Sequence, residues 1–402
     1  MEPSVRRRQP RRHAASMTLV ARVAERLADR LRAFARPWEL ASFIWVPAIV
    51  VAYAFWQSLR ATTPLDDFGI FRTAAKAVVH GNSPYVAADP HALAHFDKFV
   101  YPPSAALLFS PFAALPIKPG SVVMLVLGLI CILAALRLLD VRDWRCYGVA
   151  AMSAPVINSL ALGAVTSFLL VGTAAAWRYR DRPAVAGPVG ALTAVMKLFL
   201  WPLGLWLLVT RRLRATVAFA VVALVVVVAG WATIGFAGLR SYPHLLHVLA
   251  QVEQGMSYSP VALLGLSGTP ATLLSLALVG ITVLAVALSA RGADGDRRSF
   301  AIAIAGSLVA TPVLWLHYFA LLLIPIALYR PRLSGLWFVP LALWLTPASH
   351  SNGSAWKIAL ALAVLAVVLA RTVADPKTRW LFRAGRVRLP TVRRIQGVTG
   401  TE

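Results

Sequence analysis

Charge is scarce in this sequence. Only 14% of its 402 residues are Asp, Glu, Lys or Arg, where a soluble globular domain carries about 25%. Acids are the scarcer sign, sixteen against forty bases, and none of them falls inside an apolar run. Ion-coupled carriers use intramembrane carboxylates as relays or ligands, so this absence argues against a coupled carrier while leaving an uncoupled flippase open. Cysteine is nearly missing. Cys131 and Cys146 fall in an apolar run and a basic connector, which suggests neither an external disulfide nor a metal site. There is no P-loop, no dinucleotide fingerprint, no His-Glu-x-x-His pair and no nucleophile elbow. Leu264–Gly268 imitates the last but lacks its first glycine and its strand.

What the chain has instead is apolar length. Hydrophobic residues make up 59% of it, in runs such as Ser121–Leu139, Ala215–Gly238, Pro270–Ala290 and Ser354–Ala370. Each can cross a ~30 Å hydrocarbon core at ~1.5 Å per helical residue. No strand-like alternation is present, so helices must satisfy the backbone. The fold class is therefore an all-α polytopic membrane protein, with ten to twelve passages from Glu39 to Ala370. Three stretches of about 30 residues, Tyr147–Trp177, Ala184–Thr210 and Ser299–Tyr329, have Arg clusters at both ends. Each is expected to be a hairpin whose arms are kinked or partly re-entrant.

The net charge of +24 reads as topology and not as nucleic-acid binding. Thirty-two of the forty bases fall in the two tails and in short connectors such as Arg178/Arg180/Arg182 and Arg211/Arg212/Arg214. Seven fall on the other face, and one, Lys197, lies inside an apolar run. That asymmetry places the Arg-rich face and both termini in the cytoplasm. Residues 1–38 are too polar for a cleaved signal peptide. They read as a basic tail in which Leu19, Val23, Leu27 and Leu31 mark an amphipathic or juxtamembrane helix. Residues 39–370 form the membrane domain, and residues 371–402 a second basic tail.

The chemistry-bearing residues gather on the outer face. Residues 60–103 form a polar segment containing Asp66, Asp67, Arg72 and Tyr85. In it Phe68, Phe71, Ala75 and Val78 share one helical face, Gly81 is a stop signal and Asn82-Ser83-Pro84 a turn. A short interfacial helix is expected, starting at the two aspartates. One of them equally suits a cap. Tyr101-Pro102-Pro103 and the apolar Ser104–Leu115 follow, expected to be interfacial or re-entrant. Asp89, Asp97 and Glu253 fall in loops with no ordered element evident around them, Glu253 within the polar loop Leu239–Tyr258. A mid-bilayer lysine costs ~2.5–3.5 kcal/mol on insertion scales, so Lys197 either contacts an anion or snorkels from a hairpin tip. His317 sits near another outer tip, as a ligand or as a satisfied structural residue. His244 and His247 share helical spacing but lack a third ligand.

In this order the residues resemble glycosyltransferase family 87. The likeness rests on an acid before an aromatic at Asp67-Phe68, then Gly81–Tyr85, then Tyr101-Pro102-Pro103. A buried lysine before a proline, Lys197, and Thr311-Pro312-x-x-Trp315-x-His317 follow. The likeness runs from about Phe43 to Ala370. It departs at Leu162–Val165, where the family often has a Gly-Gln pair, and at His317-Tyr318, where it often has two histidines. The resemblance implies a GT-C-like bundle of about twelve helices. It implies transfer of a sugar, mannose first and arabinofuranose second, from a polyprenyl-phosphate donor to a cell-envelope glycolipid or lipoglycan. Asp67 would be the base and Asp66 its alternate. Lys197, His317 and Arg72 would receive the donor phosphate, and Tyr101 and Tyr85 would line the substrate interface. No metal or other cofactor is required. A lipid or lipid-glycan flippase, or a non-catalytic envelope-assembly protein, is the competing reading.

Overall fold

The computed structural model describes residues 37–60, 65–95, 98–346 and 351–373. The amphipathic segment around Leu19–Leu31, Asp97 and the tail from residue 374 lie outside them. The described residues are helical with no strands, as expected of an all-α polytopic membrane protein. Besides the short helices Pro90–His95, Ser110–Ala113, Pro260–Leu263 and Gly335–Phe338, the helices in chain order are α1 (Pro37–Arg60), α2 (Asp66–Val79), α3 (Pro103–Leu108), α4 (Ile117–Leu138), α5 (Trp144–Met152), α6 (Ala154–Ala161), α7 (Thr166–Arg178), α8 (Pro183–Met196) and α9 (Pro202–Val209). They continue as α10 (Leu213–Thr233), α11 (Tyr242–Val252), α12 (Gly268–Ser289), α13 (Gly295–Ala310), α14 (Leu323–Tyr329) and α15 (Ala355–Val373). By length and composition α1, α4, α10, α12 and α15 can each cross a bilayer, and the bent pair α6–α7 is a sixth candidate. On α10 and α12, Val217, Leu224, Leu273 and Leu276 are exposed. Large apolar side chains exposed along a helix are a poor fit to water and a good one to lipid.

The three stretches expected to be hairpins are all broken in the middle, each for a visible reason. Helices α6 and α7 meet at 120° through a turn in which Gly163 has φ +62°, a conformation that only glycine adopts freely. Helix α8 stops at Lys197, whose backbone is extended (φ −145°, ψ 104°). A single 3-10 turn, Leu198–Leu200, leads to Pro202, which opens α9. Proline cannot continue a helix but suits a first turn. After α13 the chain is extended at Thr311 and Trp315, then winds as the 3-10 segment Leu316–Leu322 into α14.

Ion pairs gather the Arg-rich connectors at one end of the bundle. Asp296 accepts from Arg180 (3.0 Å), Arg212 (2.7 Å) and the indole of Trp206 (3.1 Å). Arg212 also bonds Asp181 (2.9 Å), and Arg178 bonds Asp140 (3.0 Å). The fourteen residues of α8 separate Lys197 from this end by about 21 Å at ~1.5 Å per residue. The breaks therefore lie near the opposite end.

Leu239–Tyr258 is not simply a polar loop. It contains α11, opened by Pro243 in its first turn. Leu245 and Val248 on its buried face pack with Leu93 in a small satellite cluster, separate from the main core.

Candidate active site

Helix α2 forms where the amphipathic pattern predicts it, burying Phe68, Phe71, Ala74, Ala75 and Val78. Its start is set by packing and not by a polar cap. Leu65, just before the helix, is left-handed (φ 57°), and no side chain caps the turn. The Phe68 amide donates to the Leu162 carbonyl (3.3 Å). A Cβ on Gly163 would lie 2.8 Å from the Cβ of Phe68 and 3.0 Å from that of Leu65. The bend between α6 and α7 is thus a socket for the first turn of α2. Strain in a non-glycine left-handed residue persists only where its surroundings enforce it. The capping role considered for the aspartates is not what the structure has. Both sit in the first helical turn, and among the described residues neither carboxylate makes a hydrogen bond.

Asp66 and Asp67 instead line a cavity of about 510 Å³, together with Tyr101, Lys197, His317 and Tyr318. Burial pushes the Asp67 carboxyl up to about 6. The charge of Lys197 acts in the opposite direction, and that of Asp66 adds to the rise. A carboxyl group held there can accept a proton near neutral pH by ordinary Brønsted reasoning.

Lys197 is 3% exposed. Its ammonium donates to the hydroxyls of Tyr101 and Tyr318 and lies 4.1 Å and 4.6 Å from the two ring centroids. Phenol oxygens and ring faces are neutral acceptors, so none of the groups that touch the ammonium carries a formal negative charge. His317 is likewise 3% exposed, packed edge-on against Tyr318 at 4.5 Å. Neither of its ring nitrogens has a hydrogen-bond partner. A buried polar group left unpaired costs about 1–3 kcal/mol, and this one borders the cavity.

Of the remaining candidates, Tyr101 belongs to the cavity and two others do not. Arg72 turns away from it. Its Nε and Nη2 donate to the Leu115 carbonyl at 2.8 and 2.6 Å, tying α2 to the turn before α4. The phosphate contact expected of Arg72 is therefore replaced by a structural one. Tyr85 also stands behind the site. It stacks on Trp231 at 5.6 Å, and its hydroxyl donates to the Tyr101 carbonyl at 2.8 Å. Phe71 supports Tyr101 from the other side, stacked at 4.7 Å. Asp89 caps a short helix through the Ala92 amide (2.9 Å).

Three residues of the cavity wall were given no site role by the sequence. Tyr318 is the second phenol on Lys197, a residue that an apolar run hides among core aromatics. Lys98 and Glu253 form an ion pair on the cavity wall. Their signal was a lone acid following a helical apolar spacing, Leu245, Val248, Leu249 and Val252.

The model of glycosyltransferase family 87 matches residues 99–325. Tyr101, Lys197, His317 and Tyr318 fall within this range, while Asp66 and Asp67 precede it. The match is shorter than the likeness read from Phe43 to Ala370. No curated protein and no solved structure matches the chain. With more than half of its length matched, the chain belongs to glycosyltransferase family 87.

Proposed function

We propose that this membrane glycosyltransferase takes a sugar, mannose first and arabinofuranose second, from a polyprenyl-phosphate donor. It passes that sugar to a cell-envelope glycolipid or lipoglycan. One observation carries the reading. A buried ammonium whose hydrogen bonds go to two phenols, an unpaired histidine and an unbonded carboxylate border a single cavity.

Asp67 takes the proton from an acceptor hydroxyl. The hydroxyl oxygen attacks the anomeric carbon. The bond from that carbon to the phosphate oxygen breaks, and its electron pair leaves with the lipid phosphate. Lys197 and an N–H of His317 stabilise the charge that builds on that oxygen, the kind of contact that usually contributes most to such a step. Direct attack inverts the anomeric centre and needs one base. The Arg-rich end faces the cytoplasm by the positive-inside asymmetry, so the cavity works on the outer face.

The test is the full chain in liposomes with labelled polyprenyl-phosphate-mannose, then labelled polyprenyl-phosphate-arabinose, plus an envelope lipid extract. The expected result is label in a new glycolipid with the wild-type chain and none with Asp67→Asn. Label that crosses the bilayer with its phosphate bond intact would establish a flippase and end the transferase mechanism.

A further inference from the structure

The cavity wall carries a second polar pair that the transfer step does not use, Lys98 and Glu253. Lys98 opens the irregular stretch that runs through Phe99 and Val100 to Tyr101. Three residues of extended chain reach at most about 11 Å, so Lys98 stands within that distance of Tyr101 along the backbone. Its ammonium pairs with Oε1 of Glu253. Glu253 ends α11 and is 2% exposed, yet its Oε2 has no hydrogen-bond partner. Leu246, Leu249 and Ala250 of α11 line the cavity beside it. The helix is held there by Leu245 and Val248 against Leu93, and by Tyr242, whose hydroxyl donates to the Val100 carbonyl at 2.9 Å.

As a fastening, this pair is poorly made. A buried ion pair adds little stability unless the remaining lone pairs are satisfied, and here one carboxylate oxygen is not. The free oxygen suits something that enters the cavity. A carboxylate only accepts hydrogen bonds, so the ligand must donate them. A phosphate oxygen is repelled, and Lys98 already has its counter-charge. Neighbouring hydroxyls of a sugar are donors at a spacing that a carboxylate can take.

We infer that Glu253, positioned by Lys98, binds hydroxyls of the acceptor glycan and aligns its reacting hydroxyl toward Asp67. This rests on the transferase reading above. The acceptor is assigned to this pair because the phosphate of the donor belongs with Lys197 and His317. Glu253 lies instead on the connection between α10 and α12, and Lys98 on the one between α1 and α4.

The test has a binding arm and a kinetic arm, both on the full chain in nanodiscs. Saturation-transfer NMR with methyl α-mannopyranoside and methyl α-arabinofuranoside reads binding without turnover. The wild type should give a signal with at least one glycoside. Glu253→Gln should lose most of it, and so should the double variant Lys98→Met/Glu253→Met, which removes both charges together and so folds even if the single variant does not. In the kinetic arm, Glu253→Gln should raise the KM for the methyl glycoside about tenfold and leave the KM for the lipid-phosphate sugar within twofold. A wild type that binds neither glycoside, variants that bind both normally, or a shift in donor KM alone would each overturn the assignment. Glycoside binding without any transfer by the wild type would count against the transferase reading and not against this subsite.

Discussion

The ammonium of Lys197 donates to the hydroxyl of Tyr318, although the two residues come from different breaks in the helical scaffold. Lys197 is the extended residue between α8 and α9, and Tyr318 lies in the 3-10 turn after α13. The third break, between α6 and α7, holds the first turn of α2 and with it Asp67. Irregular backbone at membrane depth is tolerated where it is buried in protein or lines a cavity. All three breaks border the same one: Leu162, Lys197 and Tyr318 are among its walls. The same interruptions that shorten the helices therefore wall the cavity.

Lys197→Met is expected to abolish most turnover, by about 10²–10³-fold, the scale of losing one electrostatic contact to a developing charge. Donor binding should weaken with it. Met has a similar volume and removes a charge whose burial is costly, and Tyr101 and Tyr318 can then hydrogen-bond each other. Thermal unfolding should therefore be unchanged or shifted upward. A variant that unfolds earlier yet transfers sugar normally would make Lys197 a structural residue.

His317→Phe separates the same two roles at the neighbouring position. The ring shape is kept, and two unpaired buried nitrogens, at about 1–3 kcal/mol for each unmet polar group, are removed. Stability should hold or rise while turnover falls. His317→Gln, which keeps a donor, should retain more activity than His317→Phe. Equal activity in the two variants would show that the nitrogens do not contact the substrate.

Gly230 tests the packing behind the site. A Cβ there would lie 2.5 Å from the Ser104 amide nitrogen and 2.8 Å from its Cα. Neither backbone atom can move without moving α3 and the Tyr101-Pro102-Pro103 stretch that leads into it. Gly230→Ala should cost about 1–3 kcal/mol, the usual range for overpacking, and reduce turnover by displacing Tyr101. Gly280, in the middle of α12, has nothing within 4 Å of its Cβ position. Gly280→Ala is the matched control, expected to stay within about 0.5 kcal/mol of wild type.

The sequence exposed the parts whose physics is one-dimensional. The amphipathic spacing of α2 is a property of consecutive residues, and so are the proline that opens α9 and the isolation of Lys197 in an apolar run. These placed Asp66, Asp67, Tyr101, Lys197 and His317, and the cavity collects them all. Arg72 was misread because its direction depends on Leu115, forty-three residues away. Tyr318 gave no sign of its role, since a tyrosine among leucines looks the same whether its hydroxyl meets lysine or lipid headgroups. Glu253 was set aside as a loop residue. Its burial comes from α11 folding onto Leu93, a contact that no local pattern reveals.

The pH profile of the wild type bears directly on Asp67. Burial raises its carboxyl from the usual 3.8 to about 6, and a base must be ionised to accept a proton. Turnover should therefore fall about tenfold per unit as pH drops below 6 and level off above it. The stability linkage has the opposite sense. The folded state binds this proton more tightly than the unfolded state, so the group's contribution to stability is fully present below about 3.8 and lost as pH rises through 6. Asp67→Asn cannot ionise. It should match or exceed wild-type stability above pH 6 while losing ~10²–10⁴-fold in rate, the usual size of a general-base contribution. Asp66→Asn should keep measurable turnover. Because the Asp66 charge helps to raise the Asp67 carboxyl, the acid limb of that variant should move to lower pH. Near-normal transfer by Asp67→Asn would remove it as the base. An inactive Asp66→Asn beside an active Asp67→Asn would move the base by one residue, and an acid limb unmoved in Asp66→Asn would mean that the limb does not report Asp67.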